Sequence, residues 1–339
     1  MDIVEEDVEL LVKRLNEDGI RFEDKSILVT GGAGFLGSWI CDVLVKQGSK
    51  VICLDNFSSG RRDNVEHLES LESFQLVEHD ISQPIFLEEP VDLVLHLASR
   101  ASPMEFSRFP IQILKSNTLG TWVALGIAKK QRARLVYASS SEVYGDPDPK
   151  YIPTPESYYG NVNPIGVRSC YDEAKRAAEA FVMAYHIQHG VDVRIVRIHN
   201  TYGPRMRAGD IYGRVVTRFI DQALRYVPLT VFGDGRQTRS FTYITDMVLG
   251  ILKVAHLPDL SGEVFNLGSG KEMEIIELAK TVLEMTCSDS EIEFHSLPPD
   301  DPKRRCPDTS KAERLLKWKV ETSLKEGLIK TISWLKEHN

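Results

Sequence analysis

A short apolar run, SILVT, leads directly into TGGAGFLG at residues 30–37, and a second run, VICLD, ends on Asp55. Glycines at 31, 34 and 37 allow a sharp turn from strand to helix. They also leave backbone N–H groups open at a helix N-terminus, where the dipole favours negative charge. Such a loop suits a pyrophosphate, although its spacing is G-x-x-G-x-x-G rather than G-x-G-x-x-G. Asp55, eighteen residues beyond Gly37, stands where a carboxylate hydrogen-bonds an adenosine ribose and repels a 2′-phosphate, which favours NAD over NADP. A carboxylate that merely caps the turn with Asn56 is the competing account.

The same alternation continues. FQLVEHD, DLVLHLA, ARLVYASS and VDVRIVRI are strand-like, and helical segments separate them. Strands alternating with helices imply βαβ units, hence an α/β fold of the Rossmann type with a doubly wound parallel sheet. From Asn200 the chain turns loop-rich, which predicts a smaller C-terminal α/β lobe, with VFNLG at 264–268 returning to the sheet. We expect a helical extension over 1–24 and a dinucleotide-binding domain over 25–199 plus 236–268. A ligand-binding lobe is expected over 200–235 plus 269–339. Apolar residues at helical spacing from Ile3 to Leu15 predict an amphipathic helix that straps the main domain or meets another subunit.

A net charge of -8 argues against nucleic acid and anionic membrane as partners, so an anionic ligand needs a local cluster of Arg or Lys. Five scattered cysteines, none in a C-x-x-C pair, suggest neither a disulfide framework nor a metal site. The most apolar window, MVLGILKVAHL, is short and holds Lys253. We therefore expect a soluble cytoplasmic protein with no metal.

In SCYDEAKRAAE, residues 169–179, Tyr171 and Lys175 are about one helical turn apart. An ammonium near a phenol favours the phenolate, and a nicotinamide cation would act the same way, so the pair can serve as a general base toward a sugar hydroxyl. A solvated lysine beside a half-buried tyrosine is the plain alternative.

Together the glycine loop, Asp55, the strand end SSSE and Y-x-x-x-K resemble the extended short-chain dehydrogenase/reductase family from residue 26 to 335. Within it, LDNFSSGRRDNVEH, SSSEVYGDP, NVNPIG, CYDEAKR, NTYGPRM, QTRSFTY and RCPD are similar to the UDP-glucuronate decarboxylases. The resemblance implies C4 oxidation of UDP-glucuronate, loss of CO2 from the resulting β-keto acid, C5 protonation and reduction to UDP-xylose on retained NAD. It implies catalytic roles for Tyr171, Lys175, Ser140, Glu142, Ser141 and Arg305. Ser141 stands where the related 4,6-dehydratases carry an aspartic acid, which a decarboxylation does not need. Phe35, Leu36, Asn56, Asp80, Leu97, Ala98 and Lys115 join the glycines and Asp55 as cofactor contacts. Asn200, Arg214, Arg239, Tyr243 and Arg305 are the implied substrate contacts. It further implies a homodimer, paired through the helix near 110–130 and the Tyr171 helix.

The chain departs from the decarboxylase pattern at three places: Gln83 for a glutamate, Phe86 for a tyrosine and His199 for a phenylalanine. We expect His199 to be a hydrogen-bond-satisfied strand-end residue, and Arg304 to be a surface ion-pair residue. A 4,6-dehydratase, a 4-epimerase and a non-catalytic NAD-binding protein are the alternatives; Ser141 opposes the first, NVNPIG and RCPD the second, and an intact Ser140, Tyr171 and Lys175 the third.

Overall fold

The computed structural model describes residues 2–208 and 214–338. The first half runs α1 (Ile3–Glu17), β1 (Ser26–Thr30), α2 (Phe35–Lys46), β2 (Lys50–Asp55), β3 (Phe74–Glu78), β4 (Leu93–His96), α3 (Pro103–Phe106), α4 (Pro110–Gln131) and β5 (Arg134–Ser140). It continues through α5 (Ser169–His189), β6 (Val193–Ile198), β7 (Thr201–Tyr202), α6 (Val215–Leu224), β8 (Leu229–Phe232), β9 (Thr238–Ser240), β10 (Thr242–Tyr243) and α7 (Ile244–His256). The last part holds β11 (Val264–Leu267), β12 (Glu272–Glu274), α8 (Ile275–Thr286), β13 (Ile292–His295), β14 (Arg304–Arg305), α9 (Ser310–Leu316) and α10 (Leu324–His338).

Seven strands form one parallel sheet in the order β11-β6-β5-β4-β1-β2-β3. Its strands read as unbroken apolar runs because both faces are covered. Ile27 and Val29 join the cluster under α1, α2 and α7, while Leu28 joins the one under α4 and α5. Val51 and Cys53 against Ile52 and Leu54 repeat the split on β2. Full burial of each such aliphatic side chain favours the fold by roughly 2 kcal/mol.

The N-terminal helix is part of this core. Asp2 caps it, accepting from the Val4 N–H at 3.3 Å, and Val4, Val8, Leu11 and Leu15 are buried. The expected strap on the main domain is thus what this helix forms.

The remaining strands are short. β14 and β12 flank β9, and β13 pairs with β8. The parallel register of β14 on β9 sets Arg305 opposite Arg239, although 66 residues of sequence separate them.

Candidate active site

A cavity of about 700 Å³ opens along the ends of β1, β4, β5 and β6, where strand order reverses between β1 and β4, and extends under β9 and β14. Ligands of open α/β sheets settle at such a switch point because the flanking crossovers leave a crevice there.

At one end lies the glycine loop. Gly31 has φ 70°, and a Cβ added there would sit 2.7 Å from the Ala98 Cα. On Gly37 a Cβ would fall 2.1 Å from the Gly31 carbonyl oxygen, so the first turn of α2 can press against the loop only without a side chain. Gly34 occupies the α2 N-cap with no side-chain hydrogen bond. Asp55 accepts from the Ala33 N–H at 3.0 Å and the Phe57 N–H at 2.8 Å. Burial raises its pKa against these bonds. Phe35, Leu36, Asn56, Asp80, Leu97, Ala98 and Lys115 line the same cavity. This glycine cradle, with an open helix N-terminus and a ribose-height carboxylate, fits NAD.

In the middle, Tyr171 stacks on Phe106 at 5.2 Å, and one turn on Lys175 donates to the Ala138 carbonyl at 2.7 Å. Burial pushes the phenol up to about 12, while the Ser140 hydroxyl and the Arg214 charge pull it back. Burial likewise brings the Lys175 ammonium down to about 7. Ser140 closes β5, and its hydroxyl accepts from the Glu142 N–H at 3.3 Å, which starts the turn over Ser141–Tyr144.

Beyond it stands a charged cluster. Arg305 meets Glu142 through both terminal nitrogens, at 2.8 and 2.7 Å, and Arg168 meets the same carboxylate at 2.6 Å. Desolvation would raise Glu142, but Arg305 and Arg168 together hold it well below the usual carboxylate range. Asp172, one turn into α5, moves the opposite way under desolvation and the nearby Glu142 charge. Arg239 donates to Asp301 at 2.9 Å. Arg168 and Asp301 lie in the decarboxylase-like stretches GNVNPIGVRSCYDEAKR and DDPKRRCPD but are not among the expected site residues.

Asn200, Arg214, Arg239 and Arg305 line the cavity, but Tyr243 does not. Its hydroxyl donates to Asp7 of α1 at 2.7 Å, so the expected substrate contact is instead a buried tie to the N-terminal helix. The His199 ring differs from expectation: buried in the cavity wall, it has neither nitrogen in hydrogen-bond geometry with a described protein group, and desolvation and the Arg305 charge lower it to about 3 although Asn266 raises it. Arg304 pairs with Glu272 at the surface, as expected. Phe86 lies outside the cavity, 83% exposed, whereas Gln83 lines it within one turn of Asp80.

Sheet, glycine cradle and Tyr–Lys pair together define a Rossmann-type chain of the extended short-chain dehydrogenase/reductase class. The chain belongs to the NAD dependent epimerase/dehydratase family, whose model matches residues 27–268. It is 49% identical over 315 residues to UDP-glucuronic acid decarboxylase 1 of Arabidopsis thaliana, covering 93% of this chain and 71% of that protein. UDP-glucuronic acid decarboxylase 1 of Xenopus tropicalis is also 49% identical, over 92% of this chain and 72% of its own length. Among solved structures, a UDP-glucose 4-epimerase of Thermotoga maritima with UDP-glucose superimposes with a TM-score of 0.85 at 30% identity, covering 92% of this chain and 99% of that one. A dTDP-glucose 4,6-dehydratase of Streptomyces venezuelae with NAD bound gives 0.82 at 28% identity, covering 92% and 97%.

Proposed function

We propose that this protein converts UDP-glucuronate to UDP-xylose and CO2. A hexuronic acid cannot lose CO2 directly without leaving an unstabilised carbanion at C5, so C4 must first become a ketone. Bound NAD supplies the oxidising and then the reducing equivalent for C4.

Tyr171 takes the proton of the 4-hydroxyl, and Ser140 hydrogen-bonds the same oxygen. Lys175, fixed by the Ala138 carbonyl, sets the electrostatics of the phenol and reaches the cofactor ribose. The departing carboxylate leaves its electron pair in the C4–C5 enolate, and a proton then reaches C5 beside Glu142. Arg305 faces the sugar carboxylate, since a planar guanidinium suits it in bidentate fashion, while Arg239, Arg214 and Asn200 take the diphosphate and sugar.

The observation that carries this conclusion is the Glu142–Arg305 pair beside Tyr171 in one cavity. Decarboxylases that are 49% identical over more than nine-tenths of the chain support it. On this reading, residues 25–199 plus 236–268 hold NAD and residues 200–235 plus 269–339 hold the nucleotide sugar. Exposed Leu114, Leu119 and Trp122 on α4 and Phe181 and Ile187 on α5 support a homodimer through those helices. No helix among the described residues is long and apolar enough to cross a membrane, in keeping with a cytoplasmic enzyme.

The test is proton NMR of purified protein with UDP-glucuronate, with and without added NAD. UDP-xylose or its 4-keto precursor is the expected product. An unchanged spectrum would reject the proposal, and UDP-glucose, dTDP-glucose and UDP-galacturonate would then be offered in turn.

A further inference from the structure

Two arginines from distant parts of the chain hold Glu142. Arg305 lies on β14 and Arg168 directly precedes α5. Under the proposed function Arg305 must also face the substrate's carboxylate. A guanidinium that turns an edge toward a second anion gives less to the first, so its hold on Glu142 weakens as the sugar arrives. Arg168 lines the same cavity but is assigned no substrate group on that reading. Its other neighbours are the protein's own Asp172 at 3.6 Å, Asp301 at 3.9 Å and the Phe106 ring at 5.6 Å.

We propose that Arg168 is the standing partner of Glu142, a positioning residue that keeps this carboxylate ionised and aimed at the sugar while Arg305 shares its charge with the substrate. The proposal rests on the decarboxylase reading of the site. Burial by itself would favour the protonated acid, and Arg305, Arg168 and Arg239 oppose it in that order. Once Arg305 is shared, Arg168 carries the largest remaining part, because it bonds the carboxylate directly whereas Arg239 on β9 meets Asp301. The other groups around Glu142 supply no replacement cation: Asp172 and Tyr171 on α5 are an acid and a phenol, His199 is neutral, and Asp301 is a carboxylate. A protonated Glu142 would no longer stabilise positive charge or orient a proton donor beside C5.

The experiment uses the full chain loaded with NAD and compares Arg168→Gln and Arg168→Lys across pH. The kcat profile reports groups in the substrate complex, so Arg168→Gln should lose about 100-fold in kcat. Its acid limb should move up by roughly one pH unit, with KM changed far less. Arg168→Lys should recover part of both. On a Glu142→Gln background Arg168→Gln should add little, since the two act through one group. A lowered kcat with an unmoved acid limb, a fully additive double variant or, should Arg168→Gln fail to fold, an Arg168→Lys variant with lowered kcat and an unmoved acid limb would each overturn the proposal. Difference-infrared titration of the Glu142 carboxylate in the complex with NAD and UDP needs no turnover, and its midpoint should rise in Arg168→Gln. That readout separates the two ideas: wild-type protein that releases no CO2 from UDP-glucuronate rejects the decarboxylase reading, whereas an unmoved Glu142 midpoint rejects the role of Arg168.

Discussion

Lys175 lies one turn of α5 beyond Tyr171, its ammonium 5.7 Å from the centre of the phenol ring and hydrogen-bonded to the Ala138 carbonyl at 2.7 Å. The lysine therefore acts on the tyrosine through space rather than through a direct proton exchange. Burial dominates both groups, lowering Lys175 and raising Tyr171, so the neutral phenol is favoured until a further positive charge enters the cavity.

Tyr171→Phe removes the only proton acceptor assigned to the 4-hydroxyl and leaves the stack on Phe106 in place. Turnover of UDP-glucuronate should fall by about 1,000-fold while NAD binding, followed by calorimetry, stays within error. A variant that retains a substantial share of wild-type kcat contradicts the assignment.

Arg305→Ala should separate the sugar acid from the nucleotide. It strands Glu142 on Arg168 and removes the partner of the substrate carboxylate, so kcat/KM for UDP-glucuronate should drop by roughly 100-fold. Affinity for plain UDP, measured by calorimetry, should change much less. Equal losses in the two measurements would mean that Arg305 serves the diphosphate instead.

Asp172 makes stability depend on pH with a definite sign. Burial raises its pKa to about 7, so between the ordinary aspartate range and neutrality the folded state holds a proton that the unfolded state has released. Folding then weakens as pH rises through that window. Asp172→Asn removes the effect, and its advantage in denaturant midpoint over the wild type should grow from near zero at acid pH to an amount worth about 2 kcal/mol above neutrality. A difference that is flat with pH would show that Asp172 titrates normally.

Tyr243→Phe tests the tie to α1. Losing the hydrogen bond to Asp7 should cost about 1 kcal/mol in denaturant unfolding, because Asp7 keeps its ion pair with Lys330. KM for the nucleotide sugar should not move; a raised KM would return Tyr243 to the substrate site.

Much of the cofactor half is legible in the sequence. Gly31, Gly37 and Asp55 mark a strand–turn–helix unit whose constraints are local, and the structure has them lining one cavity with Leu97 and Ala98. Tyr243 misled because a tyrosine in SFTY carries no sign of which way it points, and α1, more than 230 residues earlier, claims its hydroxyl. His199 differs for a similar reason: polarity at a strand end suggests a partner, but the cavity wall offers its ring no protein group that meets hydrogen-bond geometry.

The sequence by itself determined the α/β order, the phosphate-binding turn and the Tyr171–Lys175 spacing, since each depends on residues within one strand, turn or helix, whose periods are fixed by backbone geometry. Only the tertiary structure decided which charges meet. Glu142 and Arg305 are 163 residues apart, and they touch because β14 takes its register beside β9 while β5 ends just below. Arg168 joins them because the loop before α5 returns over that strand end. Which buried cations share a carboxylate is set by such long-range packing, where desolvation penalises every unpaired charge, and no local spacing encodes it.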